Sequence, residues 1–316
     1  QLALDVQCKT PSLLAKWLKS ENASSKETCR LGDITRQHLG LTHKQYRQIL
    51  SVLRTRINIV EKLMSENRWN EIEFDKIPSK AGMIYKNAFA RRDIIKAKYE
   101  KFAKDTTTKV NAKTLYPYEV VKEAIKVMRS NSYYSYGRNS VALDNVDRLM
   151  VNKYWDNLAD YFDGASFNAL CMVDTSGSMT CGSADVKPID VAVSLGLYCA
   201  EKAKGPFAGH YISFSSRPQL IECTGVDFCD KVHRIVSTNL CQNTNIEAAF
   251  DMVLNTAIRN HVPQDDMPKN ISVISDMEFD QAKDYNLRYQ SNTTLMEGIA
   301  RKWAAAGYKM PHLIYW

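Results

Sequence analysis

The sequence predicts a chain of two parts, an all-helical first half followed by an α/β domain with a mostly parallel sheet. Three observations predict it. Before about residue 163, apolar residues recur at helical spacing and no strand-like run appears. From Gly164 onward, short apolar runs alternate with helical segments of roughly 10–15 residues, the pattern of a parallel sheet joined by helices. The charge changes at the same place: residues 1–165 hold 29 Lys and Arg against 19 Asp and Glu, and residues 166–316 hold 13 against 16. The net charge of +7 therefore lies entirely in the first half. The expected domains are a basic helical region over 1–163 and an α/β domain over 164–316.

In the first half, Leu13, Leu14, Trp17 and Leu18 make Ser12–Lys19 a short amphipathic helix. Ser25 or Thr28 is a candidate cap for the next helix, which Gly40 ends. Tyr46, Ile49, Leu50, Leu53, Ile57 and Val60 predict one helix over Thr42–Glu61. After a break at Asn70–Pro78, Lys80–Ala103 reads as one long helix; Lys86, Arg91, Arg92, Lys96, Lys98, Lys101 and Lys104 make it and its end basic. Pro117 suits the first turn of a helix over Tyr118–Arg129. Ser130–Ser140 is a Ser/Asn/Tyr loop, and Leu143–Phe162 is the last helix of this half. No fixed-period repeat is evident, although stacked helix pairs, a helical-repeat arrangement, fit the pattern.

In the second half, Phe167–Val173 is a buried strand ending at Asp174. Ile189–Ala203, Val226–Val236, Ile246–Ile258 and Thr293–Ala306 are helices. His210–Phe214, Gln219–Glu222, Ile271–Ile274 and His312–Trp316 are strands. Ligands of such sheets bind at the carboxyl ends of the strands, where Asp174 and Asp276 both fall.

With 45% hydrophobic and 24% charged residues, the composition excludes wholesale disorder, a collagenous repeat and a coiled-coil rod. No apolar run approaches the ~18–20 residues of a membrane span, so no membrane partner is expected. The eight cysteines (Cys8, Cys29, Cys171, Cys181, Cys199, Cys223, Cys229, Cys241) form no CxxC pair and read as reduced thiols of an intracellular protein. Cys8, Cys29, His38 and His43 lack the paired spacing of a zinc site. No phosphate-cradling glycine motif occurs, and the scattered histidines have no nucleophile partner in sequence.

The chemistry concentrates in Asp174-Thr175-Ser176-Gly177-Ser178, directly after the first strand. One carboxylate and two hydroxyls share a tight turn. Asn243-Thr244-Asn245 adds a hydroxyl at a helix start, and Ser275-Asp276 adds a carboxylate at a strand end. These are hard oxygen ligands, suited to Mg²⁺ rather than zinc or copper. The plain alternative is that Asp174 and Ser176 only cap the next helix.

On these residues the second half resembles a von Willebrand factor A domain, Rossmann-like with a mostly parallel sheet, and its metal-ion-dependent adhesion site. The resemblance implies one Mg²⁺ (or Mn²⁺). Ser176, Ser178 and Thr244 would contact it, and Asp174 and Asp276 would act directly or through water. Glu278 and Asp280 add charge nearby without belonging to that pattern. Over nearly the whole chain, WNEIEFDKIPSKAG, NAKTLYPYEVVKEAI, DTSGSM, PIDVAVSLGLYCAEKA, NTNIEAAF and ISDMEFD resemble the DUF2828 family, which is found in eukaryotes and viruses. Its layout is similar to that of the Ro autoantigen (TROVE) family, in which a helical-repeat ring binds RNA and an A domain closes the ring.

The expected function is a non-enzymatic binding protein whose A domain captures an acidic protein or phosphate ligand through the metal. No general base stands beside Asp174 to make it a hydrolase. One alternative is a Ro-like RNA-binding protein gripping RNA with its basic half, where Tyr133, Tyr134, Tyr136 and Arg138 offer base stacking. Another is a structural component of a viral particle or large assembly. The expected location is the cytoplasm, or the virion for a viral source. A start at Gln1 and an end at Trp316, inside the last strand, are expected of a fragment.

Overall fold

The computed structural model describes residues 1–9, 11–57, 59–130, 145–162, 168–181, 185–215, 217–237, 245–275 and 295–316. By packing, the chain forms two compact units, Gln1–Glu73 and Phe74–Trp316. The helix-to-strand change in the sequence falls inside the second.

The first unit holds α1 (Leu2–Gln7), α2 (Leu14–Trp17), α3 (Lys26–His38), α4 (His43–Arg56) and α5 (Val60–Ser65). Ser25 caps α3, accepting from the Thr28 amide, and Thr42 with Gln45 forms a capping box on α4. The helix expected over Thr42–Glu61 is two helices. Ile57 and Ile59 are extended at the break, and both join Ala15 and Leu53 in a small core. Burial of two isoleucines at i and i+2 is strand-like alternation, which a continuous helix does not allow. Arg54 ties α4 to the end of α2, donating to the Ala15 and Leu18 carbonyls at 3.1 and 2.7 Å.

The second unit begins with α6 (Ser79–Arg91), α7 (Asp93–Lys104), α8 (Pro117–Ser130) and α9 (Val146–Asp156). The long basic helix expected over Lys80–Ala103 is broken at Arg92, which is extended. In one straight helix Phe89 and Tyr99 would stand about 15 Å apart along the axis. The break folds α7 back and brings their ring centroids to 5.6 Å, in a cluster with Phe74 and Phe102. Aromatic burial wins over helix continuity.

The sheet holds β1 (Ala169–Val173), β2 (His210–Ser213), β3 (Leu220–Glu222), β4 (Asn270–Ile274) and β5 (His312–Tyr315) in the order β3-β2-β1-β4-β5. All neighbours are parallel except β2 and β3. Together with the helical elements this is the expected α plus α/β layout. The helices are α10 (Pro188–Lys202), α11 (Phe228–Ser237), α12 (Ile246–Arg259) and α13 (Leu295–Ala305). Alternation along the fully buried β1 sets the two faces. Leu170 and Met172 join Phe250 and Val253 of α12 and Ile299 and Trp303 of α13 in one core. Cys171 and Val173 face α10. The Cys171 thiol meets that of Cys199, which with burial raises it well above the ordinary thiol range. A Cβ on Gly196 would come within 2.3 Å of Val173, so only glycine lets α10 approach this closely.

Helices α9 and α11 are joined by a buried ion pair. Arg148, 1% exposed, donates Nε and Nη2 to the two oxygens of Asp227 at 2.7 and 2.8 Å. Asn152 and the Asp230 amide complete the carboxylate's partners. Burial pushes the Asp227 carboxyl up, but the Arg148 bonds, the Asp230 amide and Asn152 outweigh it and hold it below its ordinary value. Trp155 stacks on Phe228 beside the pair at 4.1 Å. Among the described residues no helix is long and apolar enough to cross a membrane.

Candidate functional site

In the strand order 3-2-1-4-5 the connection direction reverses between β1 and β4, and ligands of such sheets bind in the crevice outside that point. Asp174 follows β1 and Ser275 follows β4, so both lie at the crevice. The parallel ladder continues one step beyond the strands: the Asp174 amide donates to the Ile274 carbonyl at 3.1 Å. This holds the Asp174 backbone against β4 and leaves its side chain at the junction.

Asp174 is 2% exposed. The Ser176 amide donates to Oδ1 at 2.8 Å, and the Ser275 hydroxyl donates to Oδ2 at 2.6 Å. The second bond spans the crevice. A carboxylate has about four lone-pair sites, and the described residues fill two of them. The Ser176 and Ser178 hydroxyls lie 3.0 Å apart, and Met179, buried in the following turn, anchors the loop. Among the described residues no cation pairs with Asp174. The arrangement is one ionisable oxygen donor and two hydroxyls on a short, anchored loop.

Of the five expected metal ligands, Asp174, Ser176 and Ser178 are brought together. Thr244 and Asp276 lie outside the described residues, as do Glu278, Asp280, Tyr133, Tyr134, Tyr136 and Arg138. Their described chain neighbours reach the strand ends. Ser275, next to Asp276, bonds Asp174. Asn245, next to Thr244, donates its amide to the Ser215 carbonyl at 3.3 Å and caps α12 with its side chain. Ser215 went unnoticed in the sequence. It lies just past β2 and is buried, and its hydroxyl has no partner among the described residues. A lone serine after an apolar strand carries no signal of that kind.

In the first unit, Glu21, Asp33 and His43 bring ligand-type atoms within 4.8 Å of one another. Arg36 already fills the role of cation there, donating to both Glu21 and Asp33. Spacing gave no hint of this group. His43 therefore pairs with Glu21, and the Cys29 thiol donates to the Ala23 carbonyl.

The DUF2828 family model, a domain of unknown function, matches residues 5–163. A second domain of unknown function, DUF7788, matches residues 168–316. An uncharacterized protein of Acanthamoeba polyphaga mimivirus is 31% identical over 322 residues, which is 96% of this chain and 52% of that protein. The chain thus spans about half the length of the relative it matches. Among solved structures, the Deinococcus radiodurans RO (RSR) protein aligns with a TM-score of 0.45 at 15% identity, over 99% of this chain and 68% of that one.

Proposed function

The chain belongs to the DUF2828 family, and from that premise we propose that it is a non-enzymatic binding protein whose α/β domain is of the von Willebrand A type. It captures an acidic group, a carboxylate or phosphate of its partner, at the β1–β4 crevice. The observation that carries this reading is Asp174: buried, next to two hydroxyls, and with no cationic side chain beside it and only two hydrogen-bond donors on it among the described residues. A buried carboxylate left without a counter-charge is costly, and a divalent cation removes that cost. The donor set fits Mg²⁺ (or Mn²⁺), which favours hard oxygens and gives up water reluctantly. Asp174, Ser176, Ser178, Thr244 and Asp276 would hold it, and bound there it supplies an electrophilic position for the partner's acid. Ser275 and the Ser176 amide orient Asp174. The test is capture of partners from cell extract by the full chain, with and without EDTA, beside Asp174→Ala. Loss of the same partners in both arms supports the reading; retention in either removes the metal from it.

A second reading is RNA binding, favoured by the surface of α6 and α7. Arg91, Lys96, Lys101 and Lys104 are exposed and have no acidic partner among the described residues. Binding through them is electrostatic, so affinity for RNA would fall steeply with salt, and each cation removed would lower the slope by about one. A flat salt dependence would exclude it. A third reading is a structural role in a viral particle, supported by the viral relative. The cytoplasm or a virion is the proposed place of action.

A further inference from the structure

The first unit contains a cleft of about 460 Å³, a size within the range of small-molecule sites. One stripe of α4 forms a wall of it, with Arg47, Ser51 and Arg54 recurring at helical spacing. Ser20 and Glu21 lie opposite, and Lys62 and Glu66 of the α5 end close it.

The charges in this cleft do not cancel. Arg47 is exposed and has no partner among the described residues. Arg54 bonds only neutral oxygens: the Ala15 and Leu18 carbonyls and the Ser20 hydroxyl, at 3.1, 2.7 and 2.8 Å. These use three of the five guanidinium N–H groups and leave two. Lys62 bonds the Thr55 carbonyl. Its carboxylate neighbour Glu66 is 3.8 Å away and is held more closely by Arg68, at 2.7 Å. Glu21 Oε1 is taken by Arg36 at 2.7 Å, with the His43 ring 2.8 Å away, and its buried Oε2 has no partner among the described residues. Arg36 is shared with Asp33 and Arg68 with Glu71, so the cleft and its partners carry about one positive charge in excess. The two guanidinium groups of the cleft without an acidic partner among the described residues are Arg54, which its three bonds hold in place, and Arg47 at the rim.

The geometry points to an anion site for the phosphate group of a small phosphorylated molecule, held by the Arg47 and Arg54 guanidinium groups. Guanidinium groups match phosphate oxygens in pairs. Arg54 is pre-positioned by its three bonds, Arg47 closes from the rim, and the Ser20 and Ser51 hydroxyls lie alongside. The cleft, bordered by α4 and the end of α5, is of a size that suits a compact ligand.

The test is calorimetric titration of the full chain with inorganic phosphate, pyrophosphate and a nucleoside monophosphate, and separately with a single-stranded RNA. The expected result is one-to-one binding of the small phosphates, weakened about tenfold or more in Arg47→Ala, with an unchanged melting temperature. Lys44→Ala, on the same helix but outside the cleft, should bind as wild type. Equal loss in both variants would reduce the effect to general surface charge and overturn the proposal. So would absence of small-phosphate binding, or RNA binding that alone depends on Arg47. Lys62→Ala gives a second check: it should weaken pyrophosphate more than inorganic phosphate, because the larger anion reaches further across the cleft. These outcomes are independent of the β1–β4 crevice, which EDTA and Asp174→Ala address.

Discussion

Asp174, Asp190 and Asp227 of the second unit are withdrawn from solvent; Asp190 caps the start of α10 through the Lys187 amide, and the other two have opposite surroundings. Asp227 has a bidentate guanidinium, an amide side chain and a backbone N–H, so its charge is balanced and its lone pairs are filled. Asp174, more deeply buried, has one hydroxyl and one backbone N–H. The first pattern is that of a seam between helices. The second leaves a buried carboxylate without a counter-charge among the described residues, the kind of local inconsistency that folded proteins retain at functional sites. The contrast supports reading Asp227 as a stabilising residue and agrees with the proposal that Asp174 serves binding.

The largest expected effect breaks the first half of this comparison. Arg148→Ala leaves Asp227 without its counter-charge among buried groups and should destabilise the fold by about 3–5 kcal/mol, measured by urea unfolding. Asp174→Asn, by contrast, should keep or raise stability without added metal, since it removes a buried charge that no described residue balances.

Gly196→Ala should cost about 1–3 kcal/mol, because its Cβ would press on Val173, the residue before Asp174. If it also weakens capture at the crevice, the α10 face of β1 helps position the site. If stability alone changes, the two are separable.

A smaller effect lies in pH dependence. The folded-state carboxyl of Asp227 is lowered, so below its ordinary range the unfolded chain binds the extra proton first. Its contribution is therefore present above about pH 4 and is lost as pH falls through the lowered folded value. Unfolding curves between pH 6 and pH 2.5 should show this acid loss in the wild-type protein and a weaker one in Asp227→Asn.

Much of the second half was legible because its signals are local. Short apolar runs ending in Asp174 and Ser275 are strands whatever surrounds them, and the D-x-S-x-S turn places Asp174, Ser176 and Ser178 together by covalent spacing alone. What was not legible depends on partners distant in sequence. The break at Arg92 exists so that Phe89 can meet Tyr99 and Phe74. The bend at Ile57 serves Ala15, about forty positions earlier. Arg148 and Asp227, 79 residues apart, form a pair that no periodicity announces. At the site itself the Ser275 bond to Asp174 spans 101 residues and follows only from the strand order.

The central claim is that Asp174 is kept for a divalent cation, and calorimetric and thermal titration of the full chain with Mg²⁺ tests it most directly. Binding to the folded state alone should raise stability by about 2.7 kcal/mol at a hundredfold excess over Kd, and Asp174→Asn should abolish the gain. An equal gain in wild-type and Asp174→Asn protein, or none in either, would contradict the account.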